Sequence, residues 1–368
     1  MKKQRIESIY FLRLFAMLMV VLVHVTGTYT SVLPIEGDAY GKYHFFNRFI
    51  RIEAGIFLML TGLVFFYNYY RKNLSIKVFK EYYKKRVAYI LVPYLLWALI
   101  YEIYAHYTVN RDLALGELIA RIAQGQSYYQ LHFIFLIVQF YLVFPLLIIL
   151  AKRFVYFKRY MWLAAILIHL LYSYLNSKYG WVPFSLFLGS LSPYLLGGWL
   201  GIYYEEQKEK AHKHLITGLF GIIFIASGSL LAYLHYQLYV VQNFYLAGIY
   251  YTVVEIVFIM AGCYFLFRMA EIIQRKSSIQ VMNIVKNIAM YSFGFYLIHP
   301  LVLKEVARFI PLHSNYLFHL EIITRYVLTV IICYIIIWLF HRFTPIPELL
   351  FGKMPAKKTS LREMIKKD

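Results

Sequence analysis

Ile9-Tyr10-Phe11-Leu12-Arg13-Leu14-Phe15-Ala16-Met17-Leu18-Met19-Val20-Val21-Leu22-Val23-His24 opens an apolar run that continues to Thr30. A helix over such a run is long enough to cross the ~30 Å hydrocarbon core of a bilayer. It is longer than the ~7–15 residues of a signal-peptide apolar region. It also carries Arg13 and His24, and no small-x-small cleavage site follows, so it reads as a retained first helix. Comparable runs recur near 45–69, 87–107, 131–150, 160–177, 182–203, 214–235, 245–267, 288–306 and 322–342. The pattern predicts an all-α, polytopic membrane protein of about ten transmembrane helices.

Composition agrees. Hydrophobic residues make up 61% of 368 positions and charged residues 15%, against the ~25% charged usual in soluble chains. Mean hydropathy is +0.59. The 37 tyrosines suit membrane interfaces and a polar interior.

The formal charge of +20 points away from nucleic acid once its distribution is considered. Segments 1–8, 70–86, 151–160, 203–214, 268–287 and 342–368 hold 28 of the 38 Lys and Arg, and the alternate segments hold six. The remaining four, Arg13, Arg48, Arg51 and Arg325, fall within or at the ends of helices. This alternation predicts that both termini are cytoplasmic and that membrane lipids are partners. Residues 1–343 then form the transmembrane domain and 344–368 a basic cytoplasmic tail on the inner leaflet. Loop 107–130 has room for a short surface helix. Cys263 and Cys333 lie inside apolar runs and read as packing residues. There is no Walker loop, zinc spacing, internal repeat or low-complexity linker, which argues against an ATP-driven pump and against a metal site.

Charged and titratable side chains inside apolar helices are costly and read first as functional. Arg13 and His24 are eleven residues apart, about three turns, so they share a helix face ~16 Å apart. The pair offers an anion-binding group near the inner end and an imidazole deeper toward the outside. Arg48, Arg51 and Glu53 cluster at the outer end of the second run. Glu53 could orient His24 or bind an acceptor sugar hydroxyl, with an ion pair to Arg48 or Arg51 as the plain alternative. His132 starts the fourth run, His299 precedes Pro300 in the ninth, and Glu255 lies within the eighth. Gly197-x-x-x-Gly201 reads as a close helix-packing face.

Longer motifs extend the picture. Beside the Arg13–His24 spacing stand Tyr82-Tyr83-Lys84-Lys85-Arg86-Val87-Ala88-Tyr89-Ile90-Leu91-Val92-Pro93-Tyr94, His132-Phe133-Ile134-Phe135-Leu136 through Phe144-Pro145-Leu146, Ser192-Pro193-Tyr194-Leu195-Leu196-Gly197-Gly198-Trp199-Leu200-Gly201, and Tyr291-Ser292-Phe293-Gly294-Phe295-Tyr296-Leu297-Ile298-His299-Pro300. In this order the chain resembles membrane acyltransferase family 3 along nearly its whole length. One departure is Tyr89, where many members carry a second arginine three residues after the first. The resemblance implies transfer of an acyl group, acetyl above all, from cytosolic acyl-CoA as co-substrate, with no tightly bound cofactor. The acceptor would be a hydroxyl of an extracytoplasmic polysaccharide or lipid-linked glycan, at a bacterial plasma membrane. It further implies His24 as general base or transient acyl carrier with Arg13 and Glu53 in support. Lys84, Lys85 and Arg86 would bind the polyanionic donor, and His132, His299 and Arg48 would line the acceptor site. A polysaccharide exporter or flippase, and a proton-coupled transporter, are the competing readings.

Reporters active on one side of the membrane, fused to residue 368 and inserted in loop 107–130, are expected to give opposite signals. Equal signals would contradict the even helix count.

Overall fold

The computed structural model describes residues 5–242 and 245–355. Every regular element among them is helical. In chain order the main helices are α1 (Ile9–Thr26), α2 (Asp38–Phe49), α3 (Glu53–Tyr69), α4 (Ile76–Arg86), α5 (Val92–Val109), α6 (Leu115–Ala123) and α7 (Leu131–Arg153). They continue with α8 (Val155–Tyr179), α9 (Leu191–Ile202), α10 (His214–His235), α11 (Gly248–Lys276), α12 (Ile279–Ala289), α13 (Ser292–Phe309) and α14 (Leu317–Phe343).

The chain is a multi-pass membrane protein. Among the described residues, seven continuous helical stretches are long and apolar enough to cross a bilayer: Ile9–Val32, Asp38–Tyr69, Ile76–Val109, Leu131–Arg153, His214–Val241, Gly248–Lys276 and Leu317–Phe343. An eighth arises if α12 and α13, bent by 55° at their junction, are counted together. Two runs predicted from sequence differ in form. The run at 160–177 lies in α8, which extends back to Val155 and is irregular at Tyr160 (φ −118°, ψ 21°). The run at 182–203 yields only the short apolar stretch Phe187–Ile202. Gly180 turns the chain with φ +62°, and residues 180–186 are not helical, so the start of the run is loop. Conversely, α11 runs well past the predicted end at 267. The basic run 356–368 lies outside the described residues.

Helix α1 is central, packed against α3, α11, α12, α13 and α14. The tightest pair is α3 with α9. A methyl group on Gly197 would collide with the Met59 carbonyl, one on Gly201 with the Leu63 carbonyl, and one on Gly62 with the Tyr194 carbonyl. The glycines read as a packing face therefore bring two backbones into contact, a gain in dispersion where lipid gives helices no hydrophobic reason to associate. Cys263 and Cys333 are free and buried.

Buried arginines tie the ends together. Arg268 donates to Thr217 Oγ1 (2.8 Å), the Tyr264 hydroxyl (3.2 Å) and the carbonyls of Lys210 (2.5 Å) and Lys213 (3.1 Å). Ser8, just before α1, donates to Glu271 of α11, which also accepts from the Tyr204 hydroxyl. Arg325 of α14 caps the last turn of α13 through the Ile310 carbonyl (2.6 and 2.8 Å). That placement suits the negative end of the helix dipole.

Gly197→Val is expected to lower the thermal midpoint of the purified protein by the equivalent of roughly 1–3 kcal/mol or more, the usual cost of overpacking. Gly218→Ala, where nothing lies within 4 Å, should leave it nearly unchanged. Equal midpoints for both variants would refute the close α3–α9 contact.

Candidate functional site

Pro300 lies inside α13. Lacking an N–H, a proline frees the carbonyl four residues earlier, here that of Tyr296. The His299 ring turns back on its own helix, with Nδ1 at 2.9 Å from the Phe295 carbonyl and 3.0 Å from the Tyr296 carbonyl. A carbonyl can only accept, so Nδ1 carries the proton and Nε2 keeps its lone pair. His299 is fully buried, and Nε2 has no hydrogen-bond partner among the described residues. The proline beside it thus fixes the tautomer and leaves one basic nitrogen open.

That ring stacks on His24, with centroids 5.3 Å apart and planes at 29°. On its other flank His24 meets Tyr129, at 4.7 Å. His24 itself makes no hydrogen bond to a described residue, and Tyr129 stays 46% exposed, so the two rings line an open space. His132 and Arg51 also lie within electrostatic reach of His24. The His132 Nδ1 donates to the Tyr129 carbonyl (2.5 Å), which again leaves an Nε2 free of that bond.

The segment bearing Tyr129 is fixed from outside the helix bundle. Arg121 of α6 forks onto the buried Glu102 of α5 with contacts of 3.0–3.2 Å, and Arg111 approaches the same carboxylate at 3.6 Å. Arg111 also donates to the Ser127 carbonyl (2.7 Å). The Tyr94 hydroxyl bonds the Ile122 carbonyl, and the Tyr296 hydroxyl bonds the Gln130 carbonyl. Residues 110–130 therefore form a pinned cover over the histidines.

A second polar region lies toward the end of the bundle where α1 begins. Pro145 of α7 frees the Tyr141 carbonyl, and the Tyr82 hydroxyl occupies it (3.2 Å). Tyr82 and Arg86 share one face of α4, and Arg86 lies over the rings of Phe65 (4.4 Å), Tyr82 (5.0 Å) and Tyr141 (5.4 Å). Its Nε is buried without a partner, as is the hydroxyl of Tyr194 nearby. Tyr141 lies within electrostatic reach of both Arg86 and Arg13. Arg13 makes no hydrogen bond or ion pair with any described residue. Helix α7 offers an independent ruler, since Tyr141 is nine residues, or ~14 Å, along from His132. That matches the ~16 Å between Arg13 and His24 on α1. Two polar levels, one cationic and one imidazole, are therefore held at a fixed separation.

The residues anticipated from sequence divide as follows. His24, His299 and His132 converge, with Arg51. Arg13 and Arg86 belong to the inner level, whereas Lys84 and Lys85 point to the exposed face of α4. Glu53 is buried with an unpartnered Oε2 and forms no ion pair with Arg48 or Arg51. Its electrostatic neighbours in the centre are Arg51 and Tyr296, and it is absent from the groups acting on His24. Arg48 lies in an adjoining recess with His44 and His235. Sequence reasoning passed over Tyr129, Tyr141, Tyr194 and Tyr296. Two carried a signal: Tyr296 precedes His299 by one helical turn, and Tyr141 precedes Pro145 by four residues. No three His, Cys, Asp or Glu side chains among the described residues converge as a metal site.

An all-helical membrane bundle that holds paired imidazoles at one level and unpaired guanidinium groups at another has the makings of a group-transfer enzyme. A family model described as an acyltransferase domain matches residues 6–338. The chain belongs to membrane acyltransferase family 3. No curated protein and no solved structure matches it.

Proposed function

We propose that the protein moves an acyl group, acetyl in the simplest case, from cytosolic acyl-CoA to a hydroxyl of an extracytoplasmic polysaccharide or lipid-linked glycan. The observation that carries this reading is the pair of levels: guanidinium groups with no carboxylate partner at one, and the stacked His24–His299 rings, with the His299 Nε2 unpartnered, at the other. In this reading the seven continuous spans, the bent α12–α13 pair, α8 and the short Phe187–Ile202 stretch make ten crossings. Both termini then face the cytosol of a bacterium and the histidines face outward.

The donor enters at Arg86, whose planar fork suits phosphate oxygens. Its pantetheine arm passes Tyr194, Tyr141 and Arg13 to bring the thioester to His24. The acceptor hydroxyl binds between His24 and the free Nε2 of His299. A neutral His24 removes the hydroxyl proton as the oxygen attacks the thioester carbonyl. The C–S bond breaks, the ester forms, and the imidazolium returns its proton to the departing thiolate, giving CoA as the free thiol. Arg51 is the nearest guanidinium to His24 in electrostatic reach and favours the developing oxyanion.

The experiment is mass spectrometry of surface glycans together with donor binding to purified variants. His24→Ala is expected to cut acylation by roughly 10²–10⁴ or more, the usual contribution of a general base, while the protein still folds. Arg86→Gln should weaken acetyl-CoA binding at least tenfold, with partial recovery in Arg86→Lys, whereas Lys84→Gln with Lys85→Gln changes it little. A folded His24→Ala protein that acylates at the parental rate would end the catalytic reading and favour glycan export.

A further inference from the structure

Beside the histidine centre is a recess that shares only Arg51 with the transfer step. It lies between the end of α2, the end of α10 and the first turns of α11. Arg48 of α2 makes no hydrogen bond or ion pair with a described residue, and its Nε is buried without a partner. Arg51 donates once, to Asn47 Oδ1 at 3.3 Å, and is otherwise exposed. His44 is 2% exposed and pairs through Nδ1 with the Tyr29 hydroxyl (2.8 Å). Its Nε2 lies toward the Ala232 carbonyl without a well-formed hydrogen bond. The His235 ring is 5.1 Å from His44, and its buried Nδ1 also lacks a partner.

Two carboxylates are near, Glu255 within electrostatic reach of Arg48 and Glu53 within reach of Arg51, but neither forms an ion pair. Both guanidinium forks therefore keep donors free, and a buried polar group left without a partner is destabilising. Three such atoms in one recess describe a place built for something absent from the chain itself. Donor-rich forks with no paired acid match the oxygens of an anion. Tyr239, 60% exposed, and Tyr251 stand at its edge with ring faces and hydroxyls. Arg51 joins the recess to the histidine centre, since it lies within electrostatic reach of His24, His44 and His235 alike.

We propose that this recess binds an anionic oxygen group, a phosphate ester or a carboxylate, carried by the extracytoplasmic acceptor. The anchored group sets the acceptor's hydroxyl against His24. The inference rests on the acyl-transfer reading for the identity of the ligand as acceptor, but anion binding is measurable without transfer.

The test uses the purified full chain in detergent and three probes of equal chain length, each below its micellar concentration: decyl phosphate, decyl glucuronide and decyl glucoside. At least one anionic probe is expected to bind tenfold or more tightly than the neutral glucoside. Preference for the phosphate indicates a lipid-phosphate-linked acceptor, and preference for the glucuronide an acidic glycan. Arg48→Gln should abolish the preference and Arg48→Lys should keep part of it. Arg51→Gln, at an exposed position that folding does not need, should reduce it even if Arg48→Gln fails to fold. His24→Ala should keep the preference while losing transfer. Equal affinities for the three probes, or an anion preference that survives the arginine substitutions, would overturn the proposal and leave the role of His24 standing. Loss of the preference in the arginine variants alongside full transfer by His24→Ala would instead fail the catalytic reading alone.

Discussion

A helix in lipid has no water to satisfy a backbone carbonyl that loses its partner. Pro300 creates one such carbonyl at Tyr296, and the His299 imidazole answers it from three residues away. This bond decides which nitrogen of His299 is protonated, which way the ring faces and therefore how His24 is stacked. Pro145 repeats the device at Tyr141, where the Tyr82 hydroxyl fills the gap and holds α4, with Arg86, against α7. Each interior proline exchanges a backbone hydrogen bond for a side-chain anchor. The two anchors hold the two polar levels of the protein.

The remaining contacts keep those levels apart and covered. Tight α3–α9 packing supports the helix that carries Phe65 to the Arg86 guanidinium. The Ser8–Glu271 bond fixes the start of α1, and thereby the height of Arg13 and His24. At the other end, Glu102 with Arg111 and Arg121 holds the 110–130 cover so that Tyr129 reaches His24. A buried carboxylate shared by two arginines is weak evidence for net stability. Its value here is positional, because the segment it fixes brings Tyr129 against His24.

Much of this was legible in the sequence. Helical class, the shared face of Arg13 and His24 and the close-packing glycines all follow from helix periodicity. What periodicity cannot supply is contact between distant segments. His24 near the end of α1, His132 at the start of α7 and His299 in the middle of α13 come together through the packing of distant helices, and nothing local to any of them says so. Glu53 was expected near His24 from its place in the chain; its electrostatic neighbours are Arg51 and Tyr296, a placement set by how α3 packs in the bundle rather than by any local signal. Lys84, Lys85 and Arg86 look alike as a charge run. Only Arg86 follows the buried Tyr82 by four residues, and that spacing turns it inward while the lysines stay exposed. The run at 182–203 read as a full span because its apolar count was sufficient. Gly180 and Pro183 shorten it by keeping its first residues out of the helix.

In the proposed reaction a donor threads from Arg86 past Arg13 to the His24–His299 pair. The most direct measurement is a cryo-electron-microscopy structure of the full chain with a thioether analogue of acetyl-CoA, which cannot be cleaved. The account places its phosphates at Arg86, its arm along Tyr194, Tyr141 and Arg13, and its acetyl-bearing end beside His24. An analogue bound with its phosphates among the outer histidines, or with its acetyl group remote from both His24 and His299, would contradict it.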